Sequence, residues 1–241
     1  MKKILAVFAH PDDETFGPGG TLAKYAQEGV EIHLLCATRG EKGEWSASAK
    51  ASAGKQEKIH HIREKELLRS AKILGIKKVE FLNFVDGYLC NSNYHDLAQK
   101  IITKIKSFKP QVILTLDRLG ISGHLDHIAV SMVTTYSFLK TTDVLKLYYL
   151  CLPQKWYDRS LTEYFIYFPE GKKEEEITTR INYQKYWEVR KKSMMQHETQ
   201  TKDVNSLLKR FNKWPKIDNY ILAKHRLKKV ILPETDLFSG I

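Results

Sequence analysis

Two short clusters in this sequence hold most of the residue types that a hydrolytic metal site needs. Ala9-His10-Pro11-Asp12-Asp13-Glu14 follows the apolar run Ile4 to Phe8, and Gly123-His124-Leu125-Asp126-His127 comes after the run Val112 to Leu116. Catalytic zinc takes three protein ligands from His and Asp/Glu and keeps a position for water. His10, Asp13 and His127 offer two imidazoles and one carboxylate. Zinc brings the pKa of a coordinated water toward ~7, which makes a nucleophile at neutral pH. Asp12 then reads as the general base that takes the water's proton. His124 reads either as the proton donor to a leaving amine or as the stabiliser of a tetrahedral oxyanion. Asp126 reads as a residue that orients and charges His124 or His127 from behind. The chemistry implied is metal-assisted hydrolysis.

Each cluster also has a plainer reading. Acids and proline favour a helix start, where the dipole is positive. A lone His-x-x-His pair at a helix start need not bind metal. What favours chemistry is convergence. Both clusters stand at the carboxyl ends of strand-like runs, where open α/β sheets place their ligands.

Short apolar runs alternate with helical patterns over the first 150 residues. Strands are predicted over Ile4 to Phe8, Glu31 to Thr38, Val79 to Leu82, Val112 to Leu116 and Val144 to Leu150. Helices are predicted over Thr15 to Glu28, Gln56 to Leu74, His95 to Phe108 and Asp126 to Leu139, with a polar loop over Gly40 to Gly54. This alternation predicts a Rossmann-like, three-layer α/β sandwich with a mostly parallel sheet. In the order 3-2-1-4 the first and fourth strands are neighbours, so the two clusters face one crevice. Residues 1–150 read as the catalytic core, and 151–241 as a less regular extension of the same domain. In that extension Leu161 to Phe168 reads as a strand, Glu174 to His197 as mostly helix, and the basic tail as partly helical.

The chain has 241 residues and a net charge of +11. Lys202 to Lys229 carries much of the excess. No zinc-finger, RNA-recognition or helix-turn-helix pattern accompanies it, so no nucleic-acid partner is expected. Cys36, Cys90 and Cys151 are odd in number and widely spaced, which argues against a disulfide framework. No apolar stretch approaches the roughly 20 residues of a membrane span, and the N-terminal run is too short for a signal-peptide core. A cytoplasmic enzyme is expected.

The same segments resemble the LmbE-like, or PIG-L-like, N-acetylglucosaminyl deacetylases. The first cluster with Gly19-Gly20-Thr21-Leu22-Ala23 looks like that family's first motif, and Gly123 to Ala129 is similar to its second. Thr38 to Glu41, Arg63-Glu64, Asp86-Gly87, His197 to Gln200 and Leu232 to Phe238 extend the likeness. The resemblance implies one zinc ion on His10, Asp13 and His127, with Asp12 as base and His124 as acid or oxyanion partner. It also implies sugar-hydroxyl contacts from Arg63 and Asp86. Arg63 alternatively reads as a helix-surface ion pair with Glu66 or its like. His197 reads as near the site or simply packed. Leu125 stands where the family usually has proline, and Ser122 where some members have an aromatic hydroxyl.

The resemblance implies deacetylation of an N-acetylglucosamine-type conjugate, a small amino-sugar substrate, and a possible homo-oligomer. Other readings are a zinc amidase acting on a thiol-conjugate or other non-sugar amide, a non-catalytic sugar- or nucleotide-binding module, and a basic scaffold for nucleic acid.

Overall fold

A computed structural model describes residues 1–43, 59–157 and 167–241. The chain opens with β1 (Lys3–Phe8), a one-turn α1 (Asp13–Phe16), α2 (Gly19–Gln27) and β2 (Glu31–Cys36). Then come α3 (Ile59–Leu74), β3 (Lys78–Phe81), α4 (Tyr94–Phe108), β4 (Val112–Leu116), α5 (Leu125–Leu139) and β5 (Lys146–Cys151). The remainder holds β6 (Thr179–Asn182), α6 (Trp187–Met194), α7 (Thr201–Lys213) and β7 (Ile217–His225).

One seven-stranded sheet runs in the order β3-β2-β1-β4-β5-β7-β6. The first five are parallel, and β7 is antiparallel to both β5 and β6. Neighbouring β1 and β4 pair Ala6 with Leu114. Their carboxyl ends therefore open on one crevice, as the sequence predicts.

Successive side chains of a strand point to opposite faces, and β1 is apolar on both. Ile4, Ala6 and Phe8 pack with Leu22, Tyr25, Leu67 and Leu74 of α2 and α3. Leu5, Val7 and Ala9 pack on the other side with Leu97, Ile101 and Val130 of α4 and α5. Two apolar layers over a doubly buried sheet make the three-layer sandwich. Among the described residues no helix is long and apolar enough to cross a membrane.

The predicted helix Thr15 to Glu28 is two helices, broken at Gly17-Pro18. Proline cannot continue a helix without losing a hydrogen bond. The carbonyls released there are taken up by the buried Arg190, which donates to Thr15 O, Phe16 O and Gly17 O.

Glu174 to His197 is not one helix. It holds two 3₁₀ turns with the strand β6 between them, and then the eight residues of α6. Thr179 and Ile181 bury themselves against β7, and this pairing overrides the helical propensity of the Lys/Glu-rich approach. The strand β7 lies inside the basic tail. Of the expected strand Leu161 to Phe168, residues 161–166 lie outside the described residues, and the last two are not in a strand. Most of the Gly40 to Gly54 loop and the first turn expected of α3 also lie outside them.

Candidate active site

The first cluster turns sharply out of β1. The Asp13 carboxylate accepts from the backbone N–H of Ala9 at 3.1 Å and of His10 at 2.9 Å through Oδ2. Its Oδ1 faces His127 Nε2 at 3.2 Å. Asp12 sits in the left-handed region at φ 117°, which is costly for a residue with a β-carbon. Three contacts hold it there. Its N–H donates to Glu14 Oε2 at 3.0 Å, its Oδ2 accepts from Arg63 Nη2 at 2.8 Å, and its carbonyl caps the first turn of α1.

The second cluster is the N-terminus of α5. His124 is the cap residue, with Nδ1 accepting from the Asp126 N–H at 3.2 Å. The preceding loop folds over Asp117, whose Oδ1 accepts from the N–H groups of Leu119 and Ile121. Gly120 in that loop has φ +67°, and a β-carbon there would stand 2.7 Å from the β-carbon of His127. Glycine is thus what lets its carbonyl take the proton of His127 Nδ1 at 3.0 Å.

The partners of each ring assign its tautomer. His10 Nε2 faces two acceptor-only carboxylates, Asp86 Oδ1 at 3.0 Å and Asp126 Oδ2 at 3.3 Å. His127 Nδ1 faces a carbonyl. The protons of both neutral rings therefore point outward. Their remaining nitrogens, His10 Nδ1 and His127 Nε2, point at each other across 3.1 Å with Asp13 beside them. Two lone pairs and a carboxylate at this distance repel unless a positive charge lies between them. Tetrahedral zinc with bonds near 2.0–2.1 Å holds its ligands about 3.3 Å apart. The two ring nitrogens stand 3.1 Å apart, with Asp13 Oδ1 3.2 Å from His127 Nε2 and Asp13 Oδ2 3.9 Å from His10 Nδ1. The set fits a metal ion. The His124 ring is adjacent, with the nitrogens of His10, His124 and His127 all within 4.8 Å of one another.

The surrounding carboxylates also favour a positive charge at this point. Burial disfavours a charge on His10, but hydrogen bonds to Asp126 and Asp86 and the Asp13 charge outweigh it and raise its pKa to about 10. Burial would raise Asp13, yet His127 and His10 hold it below the ordinary carboxylate range. Asp12 is pushed up to about 6, by burial first and by Asp13, with Arg63 opposing. His124 is lowered to about 4 by burial and by the charges of His10 and His127.

Several residues stand differently from their sequence reading. Asp126 turns to His10, not to His124 or His127, and also accepts from the N–H groups of Gly87 and Leu89. Arg63 is buried. It makes no surface pair with Glu66, which is held by Thr199. Its guanidinium grips Asp12, Pro11 O and Gly40 O. Asp86 lines the cleft, but its carboxylate is engaged by His10 Nε2 and the Lys42 N–H. His197 is fully buried, with Nε2 2.8 Å from Glu14 Oε1. Glu14 also accepts from Ser70. Glu14 is visible in the first motif, whereas nothing local in the sequence marks Ser70 as its partner or Arg190 as the residue that holds the turn after it.

The cleft is a cavity of about 620 Å³ lined by His10, Asp12, Asp13 and His124, and also by Phe16, Arg190, Trp156 and Trp214. The fold is a Rossmann-like α/β sandwich with a polar cluster at the ends of β1 and β4, and its relatives place the chain among hydrolases that act on amides. The chain belongs to the PIG-L family, whose model, described as GlcNAc-PI de-N-acetylase, matches residues 5–137. It is 29% identical to the mycothiol S-conjugate amidase of Streptomyces coelicolor over 99% of this chain and 97% of that protein. It is also 29% identical to a 1D-myo-inositol 2-acetamido-2-deoxy-alpha-D-glucopyranoside deacetylase of Thermobifida fusca, over 83% of each. Among solved structures, the 4-carboxy-2-hydroxymuconate hydratase GalB of Pseudomonas putida superposes with a TM-score of 0.70 at 18% identity, covering 96% of this chain and all of that one. That likeness shows the fold alone, and one fold hosts several chemistries.

Proposed function

We propose that this protein hydrolyses the N-acetyl amide of an N-acetylglucosamine-type conjugate, using a zinc ion on His10, Asp13 and His127. The observation that carries the reading is the pair of inward-facing ring nitrogens beside the Asp13 carboxylate, each ring locked by an acceptor on its far side. Zinc would supply Lewis acidity and a water of lowered pKa. Asp12, raised toward neutrality, takes a proton from the attacking water and is well matched to that task at neutral pH. His124 is neutral at pH 7, and its Nδ1 is occupied as an acceptor. Its proton therefore lies on Nε2, which makes it a hydrogen-bond donor for the developing oxyanion. Asp86 and Asp126 fix the His10 ring, and Arg63 fixes the base.

A thiol-conjugate amide is the second substrate class, favoured by the near full-length likeness to a mycothiol S-conjugate amidase. The test is metal analysis of the purified chain with an amine-release screen over N-acetylglucosamine conjugates and thiol-conjugate amides. Stoichiometric zinc with release from the first group is the expected result. A metal-free chain that still binds sugar would establish the non-catalytic module instead.

The Asp12–Arg63 contact gives a pH prediction. Asp12 acts as the anion, so kcat/KM is expected to rise with pH through about 6. Arg63 stabilises that anion. Arg63→Met keeps the buried stem and removes the charge, so the acidic limb should move to higher pH. A limb unmoved in the pH–rate profile would show that Asp12 is not the titrating group.

A further inference from the structure

The far end of the cleft has no task in amide hydrolysis. Trp156 ends a 3₁₀ turn just after β5, and Trp214 follows the last residue of α7. Nearly 60 residues of chain separate them, yet their indoles stack at 4.8 Å with planes 12° apart. Both line the cavity and both remain part-exposed. Trp214 packs against an apolar cluster that contains the buried Trp187 and Phe211, whereas Trp156 is not part of that cluster. Phe211 meets Trp214 edge-on at 5.8 Å, and the Arg190 guanidinium lies 4.1 Å over the Phe211 ring. Arg190 in turn donates to Gly17 O beside the first cluster. Asp13 and the indoles are thus separated by a chain of contacts through Gly17, Arg190 and Phe211.

From this we infer that the Trp156–Trp214 end of the cleft is a subsite for a planar apolar group, an aryl ring, which the substrate carries on the side of the sugar remote from its acetamide. The inference rests on the amide-hydrolase reading above. An acetamide placed between Asp12 and His124 puts its sugar ring against the polar end. What reaches the indoles is therefore the group attached beyond that ring. Two parallel indoles offer flat faces and rigid area, and aromatic pairs favour centroid separations of 4.5–7 Å. Leu152, Leu207 and Pro215 add apolar lining to the same cleft, to which α7 also contributes the polar Ser206 and Arg210. Clefts of this kind place a few polar groups at the reacting end and leave apolar surface for the remainder of the ligand.

The test is an affinity comparison on the full chain with two non-hydrolysable amines, methyl glucosaminide and 2-naphthyl glucosaminide, by calorimetry. Binding is read without turnover, so failure of the subsite is distinguishable from failure of the deacetylase reading, which the amine-release screen decides. The naphthyl compound is expected to bind about three- to tenfold more tightly, the range of one aromatic contact. Trp214→Ala and Trp156→Ala should each bring that preference close to one. Should Trp214→Ala be unfolded by circular dichroism, Trp156→Ala alone decides. Equal affinities in the wild type, or a preference retained in the folded variants, would overturn the subsite.

Discussion

Asp12→Asn is expected to lower kcat by about 10²–10⁴-fold, the usual contribution of a general base, while the metal content of the protein stays at the wild-type level. Asparagine is the right replacement because it is nearly the same size and tolerates the left-handed backbone that Asp12 occupies at φ 117°. Its amide oxygen can still accept from Arg63, so the buried guanidinium keeps a partner. What it lacks is a group able to take a proton near pH 6. Asp12 points at none of the inward ring nitrogens, and the Asp13 contacts to the Ala9 and His10 N–H groups are independent of it. Metal affinity should therefore survive while turnover collapses. The residual rate should also lose the acidic limb near pH 6. Zinc retained together with full activity would remove Asp12 from the role of base. Zinc lost along with activity would mean that Asp12 belongs to the ligand set.

Much of this site can be read in the sequence because its parts are local to two strand ends. An apolar run that stops at His10, and another that stops shortly before His124, are enough to place both clusters on one edge of a parallel sheet. The supports are harder to see because they join residues far apart in the chain. Spacing alone cannot show that Asp126 faces His10, since the choice depends on how β1 and β4 are staggered. Arg63 has acids within a turn or two on its own helix, so a surface pair is the natural local reading. Burial under the loop at Gly40 instead aims it at Asp12.

The break at Gly17-Pro18 is written in the sequence. Its consequence is not, because the carbonyls it frees are satisfied by Arg190, more than 170 residues later. The edge strand β6 and its neighbour β7 are hard to read for a related reason. β6 is only Thr-Arg-Ile-Asn and β7 opens with Ile217-Asp218-Asn219, and it is pairing with β5 that buries Tyr220 and pairing with β7 that buries Ile181. Local propensity decides little at such an edge; tertiary burial decides it.

His127→Ala is expected to abolish both zinc binding and activity, and its most telling readout is thermal. A ligand that binds only the folded chain stabilises it by about 2.7 kcal/mol when present at 100 times its Kd. For a chain of this length about 1 kcal/mol shifts Tm by roughly 2–4 °C. Adding zinc to chelator-stripped wild-type protein should then raise Tm by about 5–11 °C at that excess. The variant should show no rise.

His127 is a cleaner choice than His10 for this test. Its other nitrogen is held only by Gly120 O, and it lies in α5, where alanine is a good helix former. Removing His10 would instead strand the buried carboxylates of Asp86 and Asp126, and an unpaired buried charge destabilises for reasons unrelated to metal. His124 makes the result informative in both directions. Its ring is 4.9 Å from that of His127. A His127→Ala chain that kept stoichiometric zinc and the full Tm rise would assign the third ligand to His124 and leave the oxyanion without its proposed donor. Loss of both in His127→Ala, with zinc retained in His124→Ala, places the ion on His10, Asp13 and His127 and leaves the neutral His124 for the substrate.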